Sequence, residues 1–314
     1  AALQAIETAD LRAMTTTQIA GLNSVQLNAL TSVQLQALGS GQVMALTGSQ
    51  INSLNSNSVT ALGSSYIPTL SSSQVSLLST TQLNDLTSTQ IQAMNSSQVQ
   101  ALTSTQLNNM ATNKVANLSS AQAQMLTVGQ LNAMGSTALQ ALETGDLQAL
   151  SSTQLPLMAA AQLNKLSSTQ VQALTTVQMR SLTSTQLNAL DTSTLAAITS
   201  TEVQALSSTQ LPSLSSAQLN HLSSAQFQAL GTDQVRNLTS VQLNALSTTQ
   251  IANLTSTQLA AMGSAQLNGL NSSTLQAIET ADLTNLSTAQ VATLSTDQLA
   301  ALKTSQLAGM QTGD

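Results

Sequence analysis

Three acidic pairs come nearest to a chemical site in this sequence. Each is a glutamate followed three residues later by an aspartate: Glu7/Asp10, Glu143/Asp146 and Glu279/Asp282. A Ca²⁺ ion prefers oxygen ligands but takes about six to eight of them, and each pair supplies only two carboxylates. An acid in the first turn of a short helix is stabilised by the helix dipole. We therefore favour a helix-terminus role for these pairs over a metal site.

The other reactive residue types lack the partners that catalysis needs. His221 is the single histidine, and the chain contains no cysteine. A zinc site, haem ligation or an activated serine each requires further ligands or a His/Asp constellation. No phosphate-binding glycine motif is present. We expect no enzymatic activity, no catalytic residue, no cofactor and no metal.

Composition excludes two further classes. Of 314 residues, 41% are apolar, 6% are charged and 1% are aromatic, and the formal net charge is −6. Six Lys and Arg residues spread along the chain do not form the basic surface that binds nucleic acid. No apolar run approaches the roughly 18 residues that suggest a membrane span.

A period of eight residues organises the whole chain. With the positions lettered a to h from Glu7, 38 octads follow without insertion or deletion from residue 7 to residue 310. Position h is Leu, Ile or Met in all 38, position e is large and apolar in 37, and position d is Gln in 28. Position a is Ser, Thr, Asn, Asp or Gly in 32 octads. We therefore predict one continuous repeat array over residues 1–314 rather than separate domains.

A single long helix or strand cannot use this pattern. Eight residues of α-helix advance about 80° beyond two full turns, so the e and h residues would not form one stripe. Spacings of three and five residues are not the alternation of two that a strand needs. The chain must change direction within every octad, which leaves two kinds of solenoid.

The first is an α-type superhelix with one very short capped helix per octad. Ser or Thr at a followed by Gln at d is the capping box, and apolar residues at the preceding h and at e form the hydrophobic staple. Leu30, Thr31, Gln34 and Leu35 show all four parts. Such helices are too short to be stable alone, so neighbouring octads must bury their e and h residues together. We favour this solution.

The alternative is a β-solenoid in which each octad forms one side of a coil. Small polar residues at a suit a β corner as well as a helix cap. Pro68, Pro156 and Pro212 all lie at position f, where proline disturbs an α-helix. The prolines therefore indicate either a β unit or an octad with a 3₁₀ turn.

A longer period of 17 octads is superimposed on the short one. Ten octads lack Gln at d, and their d residues are Asp10, Ser58, Tyr66, Lys114, Ala138, Asp146, Thr194, Glu202, Thr274 and Asp282. Adding 136 to the number of five of these residues gives another of the set, so that 10 leads to 146 and 58 leads to 194. Lys114 has no such counterpart, because residue 250 is Gln. This super-repeat reflects either duplication of drifted octads or a contact role for these positions.

Octads such as those at 182–190 and 246–254 resemble the repeat regions of giant secreted and surface bacterial proteins, the adhesins and haem-utilisation/adhesion proteins. The resemblance implies an extracellular or cell-surface structural role, such as a filament, stalk or biofilm-matrix fibre. We expect self-association, head to tail and laterally. The alternative is an adhesin or binding module whose Ser/Thr-rich face binds a surface, matrix glycans or ice.

Overall fold

The structure, a computed structural model, describes residues 3–310 and is entirely helical over that range, with no β-strand. The α-type interpretation of the octad is therefore confirmed, and the β-solenoid alternative is wrong for the described residues. Each of the 38 octads holds one helix, 35 of them α and three 3₁₀. The chain divides into two compact units, residues 1–154 and 155–314.

In the first unit every α-helix begins at position b of its octad. The α-helices α1 to α17 are Thr8–Ala13, Thr16–Ala20, Ser24–Asn28, Ser32–Ala37, Ser40–Met44, Gly48–Ser53, Ser56–Ala61, Ser72–Leu77, Thr80–Asp85, Ser88–Gln92, Ser96–Ala101, Ser104–Asn109, Thr112–Val115, Ser120–Met125, Val128–Ala133, Ser136–Ala141 and Thr144–Ala149. The 3₁₀ helices of this unit are Leu3–Ala5 and Ile67–Thr69.

The second unit continues the same spacing. Its α-helices α18 to α35 are Ala160–Leu163, Ser168–Gln172, Thr176–Ser181, Ser184–Asn188, Thr192–Ala197, Ser200–Ala205, Ser216–His221, Ser224–Gln228, Thr232–Arg236, Ser240–Asn244, Thr248–Ala252, Ser256–Ala260, Ser264–Asn268, Ser272–Ala277, Thr280–Leu283, Thr288–Val291, Thr296–Ala301 and Thr304–Met310. Its 3₁₀ helices are Leu155–Leu157 and Leu211–Ser213.

The corner between octads is made by two extended residues. Thr31 at position a has φ −70° and ψ 160°, and Leu38 at position h has φ −60° and ψ 138°. No described residue has a positive φ, so the corner needs no glycine. The capping box predicted from the sequence is present in most octads; in Thr31–Leu38 the Thr31 side chain accepts from Gln34 N–H, and the Gln34 side chain accepts from Thr31 N–H.

The proline octads confirm the 3₁₀ interpretation. Pro68, Pro156 and Pro212 each lie inside one of the 3₁₀ helices. A 3₁₀ turn of three residues avoids the clash that proline at position f makes with the preceding α-helical turn. The octad length is kept, so the following octads stay in phase.

Each octad packs on octads three positions away along the chain. In the first unit α1 contacts α4, α4 contacts α7 and α11 contacts α14; in the second unit α19 contacts α22 and α32 contacts α35. Hydrogen bonds from position d reach back four octads, for example from Gln34 to Ile6. Each unit is therefore solenoid-like, with between three and four octads per turn.

Positions e and h form the core, as the sequence predicts. Ile91, Leu107 and Phe227 at e are completely buried, and h residues such as Leu38 and Met134 are buried equally well. At the single small e position, Ala123 is also fully buried. Met125, two residues later at position g, does not fill the space beside it and is exposed.

Position g is small because it packs against position b of the octad three positions earlier. A Cβ atom added to Gly269 would lie 2.6 Å from the Cβ atom of Ser240. The same relation joins Gly309 to Thr280, where the added atom would lie 2.9 Å from Cγ2. A large side chain at g needs space at the partner position b, as Leu77 has beside Gly48, which explains why Ala and Gly are common at g.

We predict that truncating the e row is costly. Leu107→Ala removes a completely buried side chain and should lower the free energy of unfolding by about 2–5 kcal/mol. The control Val33→Ala changes a position c residue that is 67% exposed and should cost less than about 0.5 kcal/mol. Urea unfolding followed by circular dichroism measures both, and equal effects would contradict the assignment of the core.

Candidate functional site

A hydrogen-bond network centred on position d links successive turns. We call a d-position Gln a glutamine bridge when its Oε1 accepts from the N–H of residue a in its own octad and its Nε2 donates to the h carbonyl four octads earlier. In Gln98, Oε1 lies 2.9 Å from Asn95 N, and Nε2 lies 2.7 Å from Leu70 O and 2.5 Å from Ile67 O. Gln98 is only 1% exposed.

Each glutamine bridge solves two local problems with one side chain. A helix leaves its first N–H groups and its last carbonyls without partners inside the helix. The Gln oxygen takes an orphan N–H of its own short helix, and the Gln nitrogen serves orphan carbonyls at the end of a helix in the preceding turn. The Gln amide carries a donor and an acceptor at the end of a side chain of this length, which explains Gln at d.

Five of the ten octads without Gln at d use a second arrangement. We call an f-position Asn an asparagine bridge when its Nδ2 donates to the g carbonyl three octads later and its Oδ1 accepts the N–H of residue a four octads later. For Asn108 these distances are 2.9 Å to Ala133 O and 2.6 Å to Gly135 N. The octad that begins at Gly135 has Ala138 at position d, which cannot accept a hydrogen bond through its side chain.

Most asparagine bridges lie where they are needed. In five octads whose d residue is Ser, Thr, Lys or Ala, an Asn four octads earlier accepts the N–H of residue a. The pairs of Asn and residue a are Asn28 and Asn55, Asn84 and Ala111, Asn108 and Gly135, Asn164 and Asp191, and Asn244 and Asn271. In the sequence this is an Asn at position f, four octads before each such d residue, a signal that the sequence analysis missed. The super-repeat positions therefore have a contact role.

The contact made by Asn is present even in the octad where the sequence departs from the super-repeat. The counterpart of the Lys114 octad contains Gln250, yet Asn220 Oδ1 lies 2.7 Å from Ser247 N and occupies the position of an asparagine bridge. Gln250 Oε1 is consequently buried without a partner in the described structure. In the first copy, Lys114 Nζ lies 2.5 Å from Leu86 O and replaces the donating half of a glutamine bridge.

The acidic pairs lie at the starts of helices. Asp146 Oδ2 accepts from Glu143 N–H at 2.9 Å, and its Oδ1 accepts from Ser120 Oγ at 3.0 Å. Burial raises the pKa of Asp146, and these two hydrogen bonds oppose the rise. The super-repeat copy joins Asp282 Oδ1 to Ser256 Oγ at 2.7 Å. In the first pair, Glu7 and Asp10 are both exposed.

The remaining candidates stay isolated. His221 is an exposed residue at the end of its helix. Within residues 3–310, no three His, Cys, Asp or Glu side chains come together as ligands of one ion. The same range holds no helix with the length and apolar character that crossing a lipid bilayer requires.

The fold and the amide network define an all-helical repeat protein built from capped octads. A profile described as the ALTTAQ repeat matches five segments, residues 3–40, 139–176, 203–240, 238–272 and 275–312. These segments cover more than half of the chain, so the chain belongs to the ALTTAQ repeat family. Three of the matches begin at residues 3, 139 and 275, in phase with the super-repeat. No curated protein matches the chain.

We predict that a glutamine bridge contributes more to stability than any surface amide. Gln98→Ala removes three hydrogen bonds made by a buried side chain and should lower the free energy of unfolding by about 2–4 kcal/mol, because orphan backbone groups remain buried. Gln100→Ala, at an exposed f position two residues away, is the matched control. Comparable losses in urea unfolding for the two variants would disprove the role of the bridge.

We also predict that the two kinds of bridge substitute for one another. Asn108→Ala should cost about 1 kcal/mol, and adding Ala138→Gln should recover most of it, since the new Oε1 can accept from Gly135 N–H. A double-mutant cycle on unfolding free energies measures this coupling. Asn52→Ala is the control. In the octad four positions later, Gln82 already accepts from Ser79 N–H at 2.8 Å, so Asn52 is not needed there. Additive effects of the substitutions at residues 108 and 138 would contradict the prediction.

Proposed function

We propose that this chain is a non-enzymatic structural segment that forms an extracellular or cell-surface filament, stalk or matrix fibre. The observation that carries the proposal is the repeated glutamine bridge, which bonds each turn to the turn before it. Because nearly every octad carries the same donors, acceptors and apolar residues, the stacking has no built-in end. We further propose that residues 1–314 belong to one continuous array of octads.

The first and last described octads expose different parts of the repeat. Gln18 is exposed and Leu22, at position h, is half-buried, whereas the same positions are buried in most later octads. At the other end, two residues at position e are less well covered: Leu299 is half-buried, and Leu307 is 38% exposed. Earlier octads thus cover the Gln and h residues, while later octads cover the e residues. The two faces are complementary, which supports head-to-tail association of copies.

Low surface charge supports lateral association as well. The chain has 6 basic and 12 acidic residues in 314, and the ion pair between Arg236 and Asp233 is a long contact of 3.8 Å between exposed side chains. A nearly uncharged surface lacks the repulsion that keeps proteins apart. Bundling of filaments into fibres is consistent with this surface.

The alternative is an adhesin-like module that binds glycans, a matrix surface or ice through hydroxyl groups. The hydroxyl groups at position a are engaged within the fold; Thr87 Oγ1, for example, accepts from Gln90 N–H at 3.2 Å. Only the Ser and Thr residues at b and c remain for a ligand. The structural role is therefore the better supported of the two.

We expect the purified 314-residue chain to form fibres as its concentration rises, as measured by sedimentation and electron microscopy. Leu307→Lys should slow growth by placing a charge on the exposed e face. Val241→Lys, at a position c residue that is 76% exposed, should leave growth unchanged. Monodisperse monomers at every concentration would refute the filament, and binding on a glycan array without fibres would favour the adhesin.

A further inference from the structure

Glu202 is the one glutamate that occupies position d. It lies in α23, the helix Ser200–Ala205, and is only 3% exposed. Its Oε2 accepts from Thr199 N–H at 2.5 Å, as the Gln oxygen does in a glutamine bridge. Its Oε1 is buried and has no hydrogen-bond partner in the described structure. Oε1 of Glu202 therefore takes the place of the donating Nε2 of a Gln, but a carboxylate oxygen carries no proton to donate.

The repeat identifies the groups that this oxygen should serve. Gln210, in the next octad, donates to Leu182 O at 2.7 Å and to Met179 O at 3.2 Å. Gln186, two octads earlier, donates to Met158 O at 2.8 Å and to Leu155 O at 2.7 Å. The same register, h and e of the octad four positions earlier, assigns the carbonyls of Leu174 and Val171 to Glu202. A carbonyl oxygen accepts hydrogen bonds and cannot donate one.

Two other ionisable d residues, Lys114 and Asp146, take part in hydrogen bonds that satisfy their side chains. Lys114 directs its ammonium group at Leu86 O, the h carbonyl four octads earlier. The shorter Asp146 receives a hydroxyl donor from Ser120 instead. Glu202 Oε1 has neither solution, and three oxygens without a proton between them would repel one another.

Among the described residues, no cation neutralises this carboxyl group. On α20, which packs against α23, the charged residue is Arg180, and its Nε donates to Ala205 O at 2.9 Å. The packed helix α25 has the sequence SAQFQ and no charge. The next helix, α26, brings Asp233 and Arg236, which are paired with each other on the surface. Only Oε1 and two carbonyl oxygens would be available as ligands for a metal ion, whereas a hard cation binds about six.

We propose that Glu202 is held as a neutral carboxylic acid whose Oε1–H donates to the Leu174 carbonyl, so that a proton completes the bridge between α23 and the preceding turn. When the pH rises, the O–H bond breaks, the proton passes to solvent, and a buried carboxylate faces the carbonyl oxygens. The second unit thereby contains a pH-sensitive joint.

Burial raises the pKa of Glu202, and the hydrogen bonds from Thr199 oppose that rise. Because the raised pKa belongs to the folded state, the folded chain binds more protons than the unfolded chain between the two pKa values. The contribution of Glu202 to stability is thus fully present below its unfolded pKa of about 4.5. It is lost as the pH rises through the folded-state pKa.

Carboxyl ¹³C NMR of the glutamate-labelled chain tests the protonation state, because the sequence contains only four glutamates. One of the four resonances should titrate at higher pH than the other three and should vanish in Glu202→Gln. Four resonances that titrate together in the ordinary glutamate range would overturn the proposal. The proposal would also be overturned if the higher titration midpoint moved to lower pH when sodium chloride replaced tetramethylammonium chloride. Such a shift would show that a bound cation takes the place of the proton.

Amide hydrogen exchange of the same chains tests the consequence for stability. Glu202→Gln restores the residue found in most octads and should slow exchange at Val203 at pH 7 but not at pH 4. Glu7→Gln, which changes an exposed glutamate, should leave exchange at Val203 unchanged at both values. Equal exchange rates for the wild type and Glu202→Gln at pH 7 would show that no joint of this kind exists.

Discussion

The structure depends on how very short helices dispose of their unpaired backbone groups. A helix of five or six residues leaves most of its N–H and C=O groups without partners inside the helix, and water cannot reach them where turns stack. The d-position Gln resolves this by accepting from its own helix start and donating to carbonyls of an earlier turn. Burial of e and h residues supplies the driving force, and the amide network makes that burial possible by giving partners to the backbone groups at the helix ends.

The same constraint explains how the array tolerates its exceptions. Where position d is Ser, Thr, Lys or Ala, an Asn at position f of an earlier octad supplies the acceptor and reaches in the opposite direction along the chain. At Asp146 and Asp282, a serine hydroxyl in an earlier octad is the partner. The orphaned oxygen of Gln250 shows this most clearly, because Asn220 keeps the contact that the super-repeat prescribes even though a Gln is available. These pairs also distinguish otherwise similar octads, which favours one stacking register.

The scarcity of charge follows from the network as well. Position d is buried in most turns, so an ionisable group persists there only with a specific partner, as for Lys114 and Asp146, or by keeping its proton, as proposed for Glu202. At position a, by contrast, a charge is compatible with a helix start; the N–H of Thr194 lowers the pKa of the exposed Asp191 side chain by donating to it.

The sequence by itself determined the octad, the capping box and the apolar e and h rows, because each of these depends on contacts within one octad or with its immediate neighbour. At the three prolines it left a β unit and a 3₁₀ turn open, and the structure decided for the 3₁₀ turn. It also predicted that the acidic pairs lie at helix starts. It could not determine that each turn holds between three and four octads, nor which octads pair. Those features depend on contacts between octads three or four positions apart, where every octad offers nearly the same side chains. Only the tertiary structure decided the partners, and with them the roles of Asn108, Asn220 and Glu202.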